Sequence, residues 1–232
     1  GNKRAVAGAI ILIIVVLMAI FGPMMCKYSY AEQNMSLRNA SPSMDHWFGT
    51  DRMGRDIFVR ILFGARISLA VGCLAAVINL IVGTIYGGIA GYVGGKVDMV
   101  MMRIVDIIYS VPAMLYIVLI MLIFGASVIS IMLGISITCW IDMARIVRQQ
   151  VKSLKEQEFT MAAFVLGASP SRILIKHLLI NTMGQIIVTV TLMVPQAIFT
   201  EAWLSFLGVG ISAPMASWGT LAQDARQLIM TY

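Results

Sequence analysis

Long apolar runs separated by short charged segments dominate the pattern along this chain. Cut at charge clusters and at Gly/Pro punctuation, the runs leave five stretches, residues 5–26, 67–92, 104–125, 127–144 and 182–204. Each is close to the roughly 20 apolar residues that a helix needs to cross a hydrocarbon core about 30 Å thick. The pattern therefore predicts an all-α polytopic transmembrane helical bundle in which residues 1–232 form one membrane domain. Two polar segments interrupt it, one from Lys27 to Arg66 and one from Arg145 to Lys176. After Trp203 the chain is only mildly apolar, and Gly208, Gly210, Pro214 and Gly219 break any long helix. Gly83, Gly87, Gly88 and Gly91 crowd the end of the second stretch, a composition that lets helix backbones approach closely.

Composition agrees with a bilayer as solvent: 59% of residues are hydrophobic and only 12% charged, too apolar for an ordinary water-soluble domain. The formal net charge of +6 reads as loop Lys and Arg that set orientation, not as a nucleic-acid surface. Placing the N-terminus in the cytoplasm puts Lys3, Arg4, Lys96, Arg103 and the basic residues from Arg145 to Lys176 inside. Residues 27–66 are then external, and an odd number of spans leaves the C-terminal end outside. The first run is longer than a signal-peptide core and has no convincing cleavage site, so it is expected to remain as an anchor. Cys26, Cys73 and Cys139 lie apart in apolar stretches, without metal-ligand spacing, and are expected to be packed thiols.

No catalytic constellation emerges. His46 and His177 are the two histidines, far apart in sequence, with no paired metal ligands. The segment Gly91-Tyr92-Val93-Gly94-Gly95-Lys96 lacks the first glycine and the Ser/Thr of a phosphate loop, so no ATP or other cofactor is expected on this chain. Asp106 has Arg103 three residues before it and Asp142 has Arg145 three after it, which predicts local ion pairs. Glu201 has no such neighbour and is read either as a packed acid at the outer end of its span or as a candidate for the pathway or for contact between helices. Thr50 or Asp51 is expected to cap a surface helix running from about Arg52 to Arg66.

The segment 146–178 is the more informative polar stretch. Glu156 to Leu166 has good helix formers, Gly167 stops the helix, and Ser169-Pro170-Ser171 can start another. Ala162 and Ala163 are expected to offer a small, flat surface to another protein.

This segment resembles the coupling loop of binding-protein-dependent ATP-binding cassette importers, Glu-Ala-Ala, three residues, then Gly. Here it reads Met161-Ala162-Ala163 with Gly167 at the family spacing, and Glu158 nearby as a possible acidic substitute for the usual glutamate. Ile180 stands where the family has a proline. His46-Trp47-Phe48-Gly49-Thr50-Asp51-Arg52-Met53-Gly54-Arg55-Asp56 and Glu201-Ala202-Trp203-Leu204-Ser205-Phe206-Leu207-Gly208 resemble the dipeptide, oligopeptide and nickel branch, second permease type. The resemblance implies a type I importer fold and a multi-pass permease of the bacterial cytoplasmic membrane. It also implies a second homologous permease, two cytoplasmic ATP-binding subunits that hold the ATP, and an extracytoplasmic solute-binding protein. Glu158, Met161, Ala162, Ala163, Gly167, Ser169 and Pro170 would form the ATPase-coupling loop, with Arg55, Asp56 and Glu201 in partner contact or along the pathway. Peptides are the expected cargo, and nickel or another small solute is the alternative. Family members carry a sixth span after the Pro214 to Trp218 region, so a further apolar stretch is expected beyond Tyr232.

Overall fold

A computed structural model describes residues 2–211 and 214–229, side chains at 228 and 229 excepted; the chain end at Tyr232 lies outside them. The described residues are helical apart from loops and one isolated antiparallel bridge between Thr50 and Asp56. In order the helices are α1 (Lys3–Met25), α2 (Ile57–Ile78), α3 (Thr84–Val93), α4 (Gly95–Ser110), α5 (Ala113–Phe124), α6 (Val128–Thr138), α7 (Ile141–Lys155), α8 (Glu158–Val165), α9 (Pro170–Arg172), α10 (Ile180–Phe206) and α11 (Trp218–Ile229). Two π-helical turns, Asn79–Gly83 and Ile173–Leu179, join α2 to α3 and α9 to α10 without breaking the rod.

Four helical rods are long and apolar enough to cross a membrane: Lys3–Met25, Ile57–Val93, Val128–Lys155 and Pro170–Phe206. Helices α4 and α5 make a fifth if taken as one broken span, bent by 73° at Val111-Pro112, where proline cannot continue the hydrogen-bond ladder. The five expected stretches thus appear, but three are embedded in longer helices. The 37-residue rods run about 55 Å at 1.5 Å per residue, well beyond a hydrocarbon core.

The expected surface helix from Arg52 to Arg66 is therefore corrected. Helix begins only at Ile57 and continues directly into the second span. Gly54 takes a positive φ of 69°, which stops any helix through Asp51 to Arg55. The cap is Asp56, whose Oδ1 accepts the Val59 N–H at 2.8 Å.

The chain folds as two compact units. The first comprises residues 1–71, 126–128 and 198–232. Here Pro23 lacks the N–H that Ala19 would otherwise receive, and Arg66 supplies the missing donor. Its Nε donates to the Ala19 carbonyl at 3.2 Å and its Nη2 to the Ile20 carbonyl at 2.8 Å. Gly22 brings the α1 backbone against Leu62.

The second unit comprises residues 72–125 and 129–197. Glycines four apart turn the α3 rod into a smooth face against α7. An added Cβ at Gly83 would meet the Trp140 carbonyl at 2.8 Å, at Gly87 the Ala144 Cα at 2.9 Å, and at Gly91 the Arg148 carbonyl at 2.7 Å. This is close packing through small residues, which replaces the hydrophobic drive that lipid removes. Below it, Met143, Val147 and Val151 of α7 meet Ala163, Ile173, Leu178 and Ile186 in a buried core. Of the cysteines, Cys139 is buried, whereas Cys73 is exposed and so departs from the packed position expected of it.

A Gly87→Val substitution should lower the melting temperature of the purified protein, because overpacking of this kind costs about 1–3 kcal/mol. Gly184→Ala, where an added Cβ meets nothing within 4 Å, should leave it unchanged.

Candidate functional site

Helix α8 is short and is held from below. Thr160 is buried and its hydroxyl donates to the Leu154 carbonyl at 2.8 Å, while Ala163 enters the core beside Ile173. Its upper side is apolar and open: Phe164, Val165 and Leu166 are 73%, 83% and 86% exposed. The helix ends as Gly167 predicts. Gly167 has φ 78°, its N–H donates to Phe164 and the Ala168 N–H to Ala163, both at 3.0 Å. These two bonds define a Schellman turn. Ser169 then takes extended backbone and Pro170 begins the next helix. Glu158, Met161, Ala162, Ser169 and Pro170 are exposed around this turn. The two alanines expected to share one surface part: Ala162 faces outward and Ala163 inward. Successive residues are 100° apart on a helix, so adjacent positions rarely share a face. Beside α8 an open groove of about 350 Å³ is lined by Tyr92, Lys155, Met161, Phe164, Val165 and Ile173, among others.

Charged contacts fix the base of this turn. Asp98, in the first turn of α4, is held by both Arg148 Nε and Arg148 Nη2, the latter at 2.7 Å, with Lys152 Nζ at 3.6 Å. Lys155 Nζ donates at 2.6 Å to the Tyr92 carbonyl, one of the acceptors left open at the C-terminus of α3. The local pairs expected for Asp106 and Asp142 give way to a contact between helices: Arg145 joins Asp106 at 2.9 Å and stacks over Tyr109. A partner on a facing helix ties two elements together, which a pair within one helix cannot do.

In the other unit, residues 46–56 fold into a tight polar knot. Gly49 and Gly54 both have positive φ, and a side chain at Gly54 would strike the Asn34 backbone. Asp51 Oδ1 accepts the N–H groups of Met53 at 2.8 Å and Arg55 at 3.0 Å, and its Oδ2 takes Arg55 Nε at 2.7 Å. Asp56 adds His46 Nδ1 at 2.7 Å to its capping bond. Arg60 on α2, 2% exposed, lies 3.6 Å from Asp51 and 3.3 Å from Asp224 of α11. Asp224 also approaches Arg52 at 3.6 Å and Arg55 at 3.8 Å. Charges that hydrocarbon would penalise are thereby paired.

Glu201 is fully buried. Ser68 Oγ of α2 donates to it at 3.0 Å and Ser205 Oγ of α10 at 2.8 Å. The Trp218 N–H reaches Ser68 Oγ at 3.4 Å and the Ile211 N–H reaches Ser205 Oγ at 3.4 Å. The carboxylate is the centre of a connection between α2, α10 and the segment leading into α11. Sequence reading named Arg55, Asp56 and Glu201 but missed the Arg60–Asp224 and Asp98–Arg148 pairs, whose members lie 164 and 50 residues apart and leave no local spacing to detect.

Four helical rods of spanning length and apolar composition define an integral membrane protein of the polytopic helical class. Comparison with known proteins places it further. Residues 83–230 match the model for the "binding-protein-dependent transport system inner membrane component", and residues 1–42 match the "N-terminal TM domain of oligopeptide transport permease C". The chain belongs to the family of binding-protein-dependent transport system inner membrane components. It is 51% identical over 232 residues to the oligopeptide transport system permease protein OppC of Bacillus subtilis, covering all of this chain and 76% of that protein. It is 49% identical to the dipeptide transport system permease protein DppC of the same organism, covering 99% and 72%. With OppC of Escherichia coli the identity is 44%, covering 96% and 74%.

Asp51→Asn should destabilise the protein by about 3–5 kcal/mol, because it weakens the pairing of buried Arg55 and Arg60. Asp106→Asn, at a half-exposed pair, should cost under about 1 kcal/mol. Thermal unfolding of the two variants in detergent checks the contrast.

Proposed function

We propose that the chain is a permease subunit of an ATP-binding cassette importer that carries peptides across the cytoplasmic membrane. The observation that supports this most is the α8 turn. Three large apolar side chains stand in water at the end of a short helix, on a base made rigid by buried contacts and by the Asp98–Arg148 pair. An exposed apolar cluster of this kind is a surface for a protein partner. In this reading an ATP-binding subunit receives Phe164, Val165 and Leu166, and its movement on binding ATP is passed through the shared core to α7 and α10. A second permease completes the pathway, and an extracytoplasmic binding protein delivers the cargo. The choice of peptides rests on the relatives above, an oligopeptide and a dipeptide transport system permease protein.

The reading places the N-terminus and segment 146–178 in the cytoplasm and segment 27–66 outside. Single cysteines at Ser41 and Ser153, both exposed, should react with an impermeant maleimide from opposite sides of the membrane, Ser41 from outside. Labelling from one side only would overturn this topology.

Phe164→Asp and Gly167→Val should abolish peptide uptake and disturb ATPase stimulation in proteoliposomes holding the complete importer. The first puts a charge into the docking cluster; the second strains the left-handed turn. Because the Phe164 side chain lies outside the buried core, insertion and yield of Phe164→Asp should match the parent. Uptake at the parental rate in that variant would remove the turn from the mechanism.

A further inference from the structure

At the end of α1 away from its N-terminus, the α1 and α2 helices enclose an open cleft of about 430 Å³. Met18, Gly22, Met25, Phe58, Val59 and Leu62 line its apolar interior. Its mouth carries Lys27 and Asp45, with Tyr28 and Trp47 beside them. Gly22 packs directly on Leu62, where an added Cβ would meet the Leu62 side chain at 2.8 Å, and the chain leaves the helix just beyond Pro23, at Cys26. Asp56 also borders the cleft, but its two oxygens are already engaged by His46 and the Val59 N–H.

Three observations identify the occupant. Helix α1 is apolar around its whole circumference and almost none of it is buried, so acyl chains reach the cleft directly. The mouth lies where the apolar rod ends, and its Trp and Tyr are residue types that settle at the headgroup level of a bilayer. Lys27 and Asp45 are only loosely paired at 4.0 Å, their side chains are each 75% exposed, and Lys27 Nζ lies over the Tyr28 ring at 5.3 Å, contacts that leave hydrogen-bonding positions on the cation and the anion open to a ligand. A headgroup bearing both a phosphate and a hydrogen-bonding ammonium complements them. A phosphate alone would be repelled by Asp45, and a quaternary ammonium could donate it no hydrogen bond.

We propose that this cleft is a phospholipid site, in which one acyl chain lies along the cleft against the apolar residues of α1 and α2 while Lys27 binds the phosphate and Asp45 the ammonium of an ethanolamine headgroup. The site holds the polar segment that follows α1 against the membrane surface.

The test uses the complete importer in nanodiscs containing phosphatidylethanolamine with a photoreactive diazirine on one acyl chain, compared with the same reagent carrying choline or glycerol headgroups. After irradiation, adducts are mapped by mass spectrometry. The ethanolamine reagent should label the Met18–Met25 and Phe58–Leu62 segments more than either other lipid. Asp45→Asn and Lys27→Gln, both at exposed positions, should reduce that preference about threefold to fivefold, as expected for a partly exposed ionic contact. Labelling of these segments that is equal for all three headgroups would overturn the proposal, as would adducts that map elsewhere. So would protection of the cleft by a protein subunit, seen as crosslinks from Met25 to that subunit in place of lipid adducts.

Discussion

Hydrocarbon offers no hydrogen-bond partner, and the structure depends on meeting that constraint from within the chain. Where Pro23 frees a carbonyl, Arg66 from the neighbouring helix donates to it. Asn79 in the π turn donates to the carbonyl of Cys139, at the break between α6 and α7. Glu201 accepts from two serine hydroxyls, and Thr182, Thr189 and Thr191 of α10 return their hydroxyls to the backbone four residues earlier. At Pro23 and at the break between α6 and α7, a polar side chain from a neighbouring helix or turn meets a backbone carbonyl at the irregularity.

The same constraint explains the packing. Between lipid-exposed helices there is little hydrophobic drive to associate, so contact rests on shape. The α3–α7 contact supplies shape through Gly83, Gly87 and Gly91. On that contact stands α7, whose far end carries Arg148, Lys152 and Lys155 to the α3–α4 junction and whose apolar face carries α8. The exposed turn at Phe164 to Gly167 is thus the tip of a continuous packed structure and not a flexible loop.

Spans, the Gly167 turn and the Ser169–Pro170 helix start were legible because each depends on residues close in sequence: run length, a glycine forced to positive φ, a proline suited to the first helical turn. The burial of Ala163 was misread: it was expected to share an outward surface with Ala162, and only the core beneath α8 shows which of the two adjacent positions faces inward. What could not be read depended on distant partners. The Arg103–Asp106 and Asp142–Arg145 spacings looked sufficient, yet Arg145 is satisfied by Asp106 across two helices. Arg60 and Asp224 lie 164 residues apart and have no shared motif. The start of α2 was misplaced because Asp51, an able capping residue, is instead used by the turn that holds Arg55.

The two π turns have a consequence for how such helices vary. A turn closed by i→i+5 bonds accommodates one more residue than an α-turn without ending the helix. At Asn79–Gly83 and Ile173–Leu179 the rods therefore contain places where a residue can be gained or lost while the flanking segments keep their ends fixed. In an unbroken α-helix the same change would rotate everything beyond that point by about 100°, one residue's worth of helical rotation. The glycine face of α3 and the buried face of α10 both lie just past such a point, so their orientation can be set independently of the segments that precede them.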